Sequence, residues 1–211
     1  MSLTANVFDE MGLFWAEIAD KNQTEQQIQF LKSHLKKGGY VLDLACGSGR
    51  HSIPLSQHGF CMVGVDVSSK LLKIAKTRWS QLQVVRSDMR HLPFKAGAFS
   101  AAASMDTSFG YLPSEADDRA SLAEVRRVLP KHSLFAIDVF NRENLVIRYK
   151  GKSNSSKVKE YSSFFLQQKR TLSSDGEWLC DLWTTCNKAN EEVRFFDHKV
   201  RLFGKMICGV C

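Results

Sequence analysis

Short apolar runs alternate with amphipathic segments along the first two thirds of the chain. The apolar runs have the length of buried strands and lie at 40–44, 60–65, 83–87, 98–105 and 133–140. Segments of helical period separate them, at 24–37, 50–58, 68–79 and 114–129. Strands that alternate with helices predict parallel βαβ units, and therefore an α/β fold whose doubly wound, mostly parallel sheet carries helices on both faces.

The pattern changes after about residue 150. A turn-rich stretch at 152–156 leads into three β-rich runs, at 158–171, 177–186 and 192–203. Residues 173–176 and 187–190 between these runs are strong turn formers, so we predict an antiparallel β lid. This divides the chain into a first domain over 1–150 and a lid or substrate-side subdomain over 151–211. We expect most lid aromatics, such as Trp178 and Trp183, to be core and some to face substrate.

Composition is that of a globular protein, with 44% hydrophobic and 24% charged residues in 211. The first residues lack a basic segment followed by an apolar one, and no apolar run approaches the roughly 20 residues that cross a bilayer, so we expect a cytoplasmic protein without membrane attachment. Its six cysteines are then expected to stay reduced. Cys208 and Cys211 have the spacing of a zinc or redox half-site, but they lie at the chain end rather than at a strand-to-helix turn, and we predict no metal site.

The formal net charge of +7 is uneven along the chain. Residues 1–140 hold 16 basic and 14 acidic side chains, whereas residues 141–211 hold 13 and 8. The basic second part fits attraction of an acidic substrate or of nucleic acid, and it fits equally an ordinary solvated surface.

A glycine-containing turn joins the first predicted strand to the helix that follows it. Gly47 and Gly49 allow positive φ and close approach of a ligand, and the helix start offers free N–H groups. Two features argue against a dinucleotide loop. Ser52 takes the third position of that fingerprint, where a small Gly or Ala packs best, and Asp43 would repel a pyrophosphate but can receive a cationic amino group.

Acidic residues end three successive predicted strands, at Asp43, Asp66 and Asp88. Asp66 follows Gly49 by 17 residues, a position from which a carboxylate can take both hydroxyls of a ribose. Asp88 can accept a hydrogen bond from the exocyclic amine of adenine. Three acids in this order around a glycine loop match a ligand that carries an amino group, a ribose and an adenine.

The motifs VLDLACGSGR, VGVDVS, SDMRHLPF and AFSAAASMDTSFGYL, within residues 24–141, resemble those of the class I S-adenosylmethionine-dependent methyltransferases. The resemblance implies a Rossmann-like fold and S-adenosylmethionine as cofactor. It also implies a cofactor site in which the methionine part lies near Asp43, Ala45, Gly47, Gly49 and Ser104 or Met105, the ribose on Asp66, and the adenine near Val67, Asp88 and Met89.

The sequence departs from the family pattern in two places. Ala45 stands where glycine is commonest, and a methyl group is tolerable there if φ is negative. The late β lid looks like the insertion of small-molecule members, yet the helix and two strands that usually follow it are not found before Cys211.

The leading interpretation is methyl transfer by in-line displacement to a small-molecule N, O or C acceptor. A general base is needed only for a protonated nucleophile, and Asp106, Tyr111 and His51 are the catalytic candidates by motif position. One alternative is an RNA or protein methyltransferase that uses the basic second part. Another is a non-catalytic cofactor-binding or partner module. A nicotinamide-dependent oxidoreductase is disfavoured by Asp43 and Asp88.

Overall fold

A computed structural model describes residues 3–18, 21–149 and 155–204, which form two compact units that meet in sequence at Asp138 and Val139. The helices of the first unit are α1 (Leu3–Ile18), α2 (Lys21–His34), α3 (Ser52–Gln57), α4 (Ser69–Arg78) and α5 (Glu115–Val128). Its strands are β1 (Tyr40–Leu44), β2 (Cys61–Asp66), β3 (Gln83–Arg86), β4 (Ala101–Ser104) and β5 (Leu134–Ile137).

All five strands of the first unit run parallel, in the order β3-β2-β1-β4-β5. Asp43 of β1 aligns with Gly64 of β2 on one side and with Ala103 of β4 on the other. Strand order reverses between β1 and β4, so a crevice opens at their carboxyl ends, where doubly wound sheets bind ligands.

Apolar side chains cover both faces of this sheet. On one face Leu31 of α2, Leu55 of α3 and Ala75 of α4 pack in one buried cluster. On the other face the buried cluster contains Val125 and Val128 of α5. The predicted doubly wound sheet with helices on both faces is therefore confirmed.

Local sequence sets several helix boundaries. Ser68 accepts a hydrogen bond from Leu71 N and caps α4, and Ser114 does the same for α5 through Asp117 N. The sequence interpretation missed α1, whose two helical stretches join across a kink at Gly12.

The second unit contains α6 (Arg142–Tyr149), also missed, and the strands β6 (Ser155–Glu160), β7 (Phe164–Leu172), β8 (Trp178–Asn187) and β9 (Val193–Arg201). These strands form an antiparallel sheet in the order β6-β7-β8-β9. The predicted antiparallel sheet is confirmed, but the expectation of one run over 158–171 was wrong. The chain reverses at 161–163, where Tyr161 N donates to Phe164 O, so four strands replace three.

The described residues contain no helix with the length and apolarity needed to span a membrane. Cys46, Cys61, Cys180 and Cys186 are free thiols, while the Cys208 and Cys211 pair lies outside the described residues. Across residues 3–18, 21–149 and 155–204, no three His, Cys, Asp or Glu side chains group as a metal site would require.

Candidate cofactor site

A cleft opens at the carboxyl ends of the strands in the first unit and encloses about 760 Å³, including open solvent at its mouth. The glycine loop, the strand ends and several aromatic side chains contribute to its wall. The lining residues are Phe8, Trp15, Ala45, Gly47, Val65, Asp66, Val67, Leu71, Ser87, Asp88, Met89, Ser108, Tyr111 and Leu112.

The loop after β1 is wound into left-handed backbone conformations. Gly47 and Gly49 have φ of 53° and 79°, as their residue type allows. Ala45 has φ of 60°, so the expectation of a negative φ there was wrong. A non-glycine residue in this region costs about 1–2 kcal/mol, and the loop holds it through Cys46 N, which donates to Val65 O at 3.0 Å.

Asp66 lies at the end of β2 and is almost fully buried. Its two carboxylate oxygens accept from Gly47 N and Ser68 N, each at 2.8 Å. Burial raises the pKa of Asp66, and these backbone hydrogen bonds act against that rise. Each carboxylate oxygen has two lone pairs, so both keep an acceptor position for a ribose hydroxyl.

Asp88 lines the cleft after β3, but its carboxylate is engaged by a neighbour. Arg90 binds both oxygens, with Nη2 to Oδ2 at 2.6 Å, and also reaches Asp117 at 2.6 Å. The hydrogen bonds from Arg90 lower the pKa of Asp88, so this group is a carboxylate at neutral pH. Most of its lone pairs are used, which leaves less for an adenine amine than the sequence alone indicates.

Asp43 is buried beneath the loop and does not line the cleft among the described residues. Its Oδ2 accepts from Ser52 Oγ at 2.5 Å, a contact that joins β1 to the start of α3. Burial raises the pKa of Asp43 to about 6, against the opposing effect of the Ser52 hydrogen bond. In this arrangement Asp43 supports the loop, and its contact with a cofactor amino group stays a prediction.

Aromatic side chains of α1 form a cleft wall that the sequence interpretation missed. The Phe8 ring packs edge-on against Trp15 at 5.3 Å and against Tyr111 at 5.1 Å between centroids. Asp9 accepts from Ser68 Oγ at 2.6 Å and ties α1 to the cap of α4. The signal was the spacing of Phe8, Met11 and Trp15, which places them on one helix face.

Of the three catalytic candidates, Tyr111 is the one that lines the cleft. His51 is buried away from that wall, and its Nε2 lies 2.9 Å from Gln27 Oε1. The Gln27 amide donates to Asp138 Oδ2 at 2.6 Å, so Oε1 faces the imidazole and Nε2 must carry the proton. Burial lowers the pKa of His51 to about 3, which keeps the ring neutral.

Asp106 follows β4 in a strained turn. Asp106 and Thr107 have φ of 56° and 57°, and Thr107 N donates to Asp138 O at 2.9 Å. Arg50, in the turn after the glycine loop, pairs with Asp106 at 2.5 Å and so links the two turns beside the strand-order reversal. Strain of this kind clusters at functional sites.

Three further predicted contacts fall behind the described cleft wall. Ser104 and Met105 at the end of β4 are buried, and Gly49 packs beside Ile53 and Leu82. The structure therefore brings Ala45, Gly47, Asp66, Val67, Asp88 and Met89 together on one wall, and places the remaining predicted cofactor residues beneath or beside it.

Comparisons with known proteins agree with this fold. The sequence profile of a family described as a methyltransferase domain matches residues 41–132. A glycine/sarcosine N-methyltransferase from Parasynechococcus marenigrum is 34% identical over 140 residues, which cover 63% of this chain and 50% of that protein. An uncharacterized protein from Methanocaldococcus jannaschii, MJ1252, is 31% identical over 175 residues, 81% of this chain and 61% of its own length. The chain thus spans about half to three fifths of these relatives.

Among solved structures, the CcbJ methyltransferase from Streptomyces caelestis superposes with a TM-score of 0.80 at 14% identity, covering 96% of this chain and 83% of that one. The fold, the glycine loop and the strand-end acids together are those of an α/β domain suited to a nucleoside ligand. Residues 41–132 match the methyltransferase-domain family, and the fold is that of the class I S-adenosylmethionine-dependent methyltransferases. The cofactor of that family is S-adenosylmethionine, and the residues fit it, because Asp66 keeps acceptor positions for ribose hydroxyls beside an apolar and aromatic wall.

Proposed function

We propose that this protein is an S-adenosylmethionine-dependent methyltransferase that acts on a small-molecule acceptor. The observation that carries the proposal is the cleft at the ends of β1–β3, which combines the left-handed loop, a buried ribose-type acid and aromatic side chains. A relative named for glycine and sarcosine N-methylation supports the small-molecule class. We further propose that residues from about 151 onward form the acceptor-side lid and that the protein works in the cytoplasm.

Cofactor binding is assigned to the cleft residues. Asp66 accepts the ribose hydroxyls, Val67 and Met89 pack on the adenine, and the loop at Ala45 and Gly47 borders the methionine part. When bound, S-adenosylmethionine supplies an electrophilic methyl group on its sulfonium sulfur. The protein then has to orient the acceptor and exclude water, and orientation alone contributes roughly 7–11 kcal/mol in favourable cases.

We assign contact with the acceptor to Tyr111, since its ring lines the cleft. Asp106 and His51 are positioning residues in this proposal, because Asp106 pairs with Arg50 and the buried His51 bonds to Gln27.

Incubation with S-adenosylmethionine and a panel of small amines, amino acids and hydroxyl compounds, beside separate samples of bulk RNA and of protein, tests the proposal through formation of S-adenosylhomocysteine. We expect turnover with at least one compound. Tyr111→Phe should lower kcat while S-adenosylhomocysteine affinity stays within twofold. Cofactor binding without turnover on any compound would favour the non-catalytic alternative, and turnover only on RNA or protein would reject the small-molecule class.

A further inference from the structure

A second carboxylate stands behind the ribose-type acid of the cleft, with one serine between the two. Asp9 of α1 accepts hydrogen bonds at its Oδ1 from Ser68 Oγ at 2.6 Å and from Lys70 N at 3.1 Å. Ser68 N in turn donates to Asp66 Oδ1 at 2.8 Å. Asp9 and Asp66 are therefore joined through the two donor groups of one residue, its hydroxyl and its amide.

Support of α4 alone does not account for the contact with Asp9. The Ser68 side chain already caps α4, because its oxygen accepts from Leu71 N at 3.2 Å. An external carboxylate adds favourable charge at the positive end of the helix. Asp9 does more than add charge, since it binds both Ser68 and Lys70 and so fixes the turn that leads from β2 into α4.

The direction of the Asp66 carboxylate depends on that turn. Asp66 is 7% exposed, and each of its oxygens accepts from one backbone amide, Gly47 N at Oδ2 and Ser68 N at Oδ1. These two amides determine where the lone pairs that are left for a ligand point. A displacement of Ser68 would therefore turn the carboxylate and move its acceptor positions away from the hydroxyls of a ribose.

Helix α1 also supplies part of the cleft wall. Phe8 precedes Asp9 and lines the cleft together with Trp15, whereas Asp9 is not among the residues that line the described cleft. The Phe8 ring has support of its own, because it packs against the rings of Trp15 and Tyr111. The hydrogen bonds of Asp9 lead instead to the turn that holds the ribose-type acid.

We propose that Asp9 is a positioning residue for the ribose of the cofactor. Through Ser68 it holds the Asp66 carboxylate in the orientation that accepts the two hydroxyls, so the docking of α1 and the binding of ribose stabilise each other. The inference rests on the proposed function, because it names a residue that tunes the same cofactor site. Loss of Asp9 then weakens only the part of the affinity that depends on the ribose hydroxyls.

Two ligands separate this effect from a general loss of the cleft. S-adenosylhomocysteine carries both ribose hydroxyls, and its 2′,3′-dideoxy analogue lacks them but keeps the adenine and the amino acid. Isothermal titration gives the affinity of S-adenosylhomocysteine, and its displacement of the bound analogue gives the affinity of the analogue. We expect the wild type to bind the analogue about 10–100-fold more weakly, the loss expected for hydrogen bonds to a charged group.

Three variants of α1 are compared with the wild type. Asp9→Ala should weaken S-adenosylhomocysteine binding by about five- to tenfold, roughly the effect of one hydrogen bond, and leave the affinity of the analogue within about twofold. Asp9→Asn keeps the oxygen that accepts from Ser68 Oγ and Lys70 N, so it should bind both ligands within about twofold of the wild type. Glu10→Ala is the matched control, because it removes the next carboxylate along α1, which is exposed, and it should change neither affinity.

Equal weakening of both ligands by Asp9→Ala would overturn the inference, because Asp9 would then only hold the wall. Wild-type affinity in Asp9→Ala, or a loss in Asp9→Asn as large as in Asp9→Ala, would overturn it as well. If Asp9→Ala lacks a cooperative melting transition, Asp9→Ser takes its place with the same expectations, since serine is polar but too short to reach Ser68 Oγ. A wild type that binds no S-adenosylhomocysteine, or that binds the analogue equally well, would instead reject the cofactor site of the proposed function, and this inference with it.

Discussion

Replacement of Gly64 by alanine tests how the loop after β1 packs on β2. A Cβ at Gly64 would lie 2.6 Å from Cys46 Sγ and 3.0 Å from Cys46 Cβ, closer than packed atoms approach. Overpacking of this kind costs about 1–3 kcal/mol, which in a protein of this size lowers Tm by about 2–12 °C. Because Cys46 lies between Ala45 and Gly47, its displacement should also weaken binding of S-adenosylhomocysteine.

Removal of the Cys46 sulfur should relieve the clash. We expect Cys46→Ala/Gly64→Ala to be more stable than the sum of the two single changes by at least about 1 kcal/mol, the coupling typical of residues in contact. Chemical denaturation of the four proteins measures that coupling, and calorimetric titration follows the affinity. Additive effects, or a Gly64→Ala protein that binds and melts like the wild type, would refute this account of the loop.

Two further predictions concern the groups around the loop. Because the folded-state pKa of Asp43 is about 6 and the ordinary value is 3.8, the folded state holds this proton more tightly, and stability should fall by about 2.4 kcal/mol as pH rises from 4 to 7. Chemical denaturation at a series of pH values should show this fall in the free energy of unfolding for the wild type and not for Asp43→Asn. The same pH dependence of stability in the two proteins would contradict the prediction. Arg50→Met should raise the KM of the acceptor found in the transfer screen, because the turn at Asp106 loses its ion pair, and leave S-adenosylhomocysteine affinity within twofold. Arg119→Met removes an exposed ion pair on α5 and should leave both the acceptor KM and the S-adenosylhomocysteine affinity unchanged. If Arg119→Met raised the KM as much as Arg50→Met does, the positioning role assigned to Arg50 would be wrong.

The fold was predictable wherever a buried strand or a helix end has a local signature. The apolar run at Tyr40–Leu44 became β1 with the same bounds, and Ser68 caps α4 as its residue type indicates. The hairpin at 161–163 was missed because its turn contains serines rather than glycine or proline. Helix α1 was missed because no recognised turn or capping signal accompanied its apolar spacing.

The site was predictable in its positions and less so in its contacts. The strand-end acids Asp66 and Asp88 lie on the cleft, since parallel strands bring their carboxyl ends to one edge. Arg90 binds the Asp88 carboxylate, and Ser52 donates a hydrogen bond to Asp43. Both contacts depend on side-chain directions, which the spacing of residues along the sequence does not determine. The positive φ of Ala45 likewise depends on the path of the loop over β2, which no local propensity reveals.

The central claim is that the cleft binds the nucleoside of S-adenosylmethionine through Asp66. Isothermal titration with S-adenosylhomocysteine measures this directly on the wild type, on Asp66→Ala and on the control Asp197→Asn, which removes an exposed carboxylate of β9. Each protein is checked for a native melting transition. We predict binding by the wild type and the control, with affinity lower by about 10–100-fold in Asp66→Ala, the loss expected for hydrogen bonds to a charged group. Folded wild-type protein without binding, or Asp66→Ala that binds as tightly as the wild type, would contradict the account.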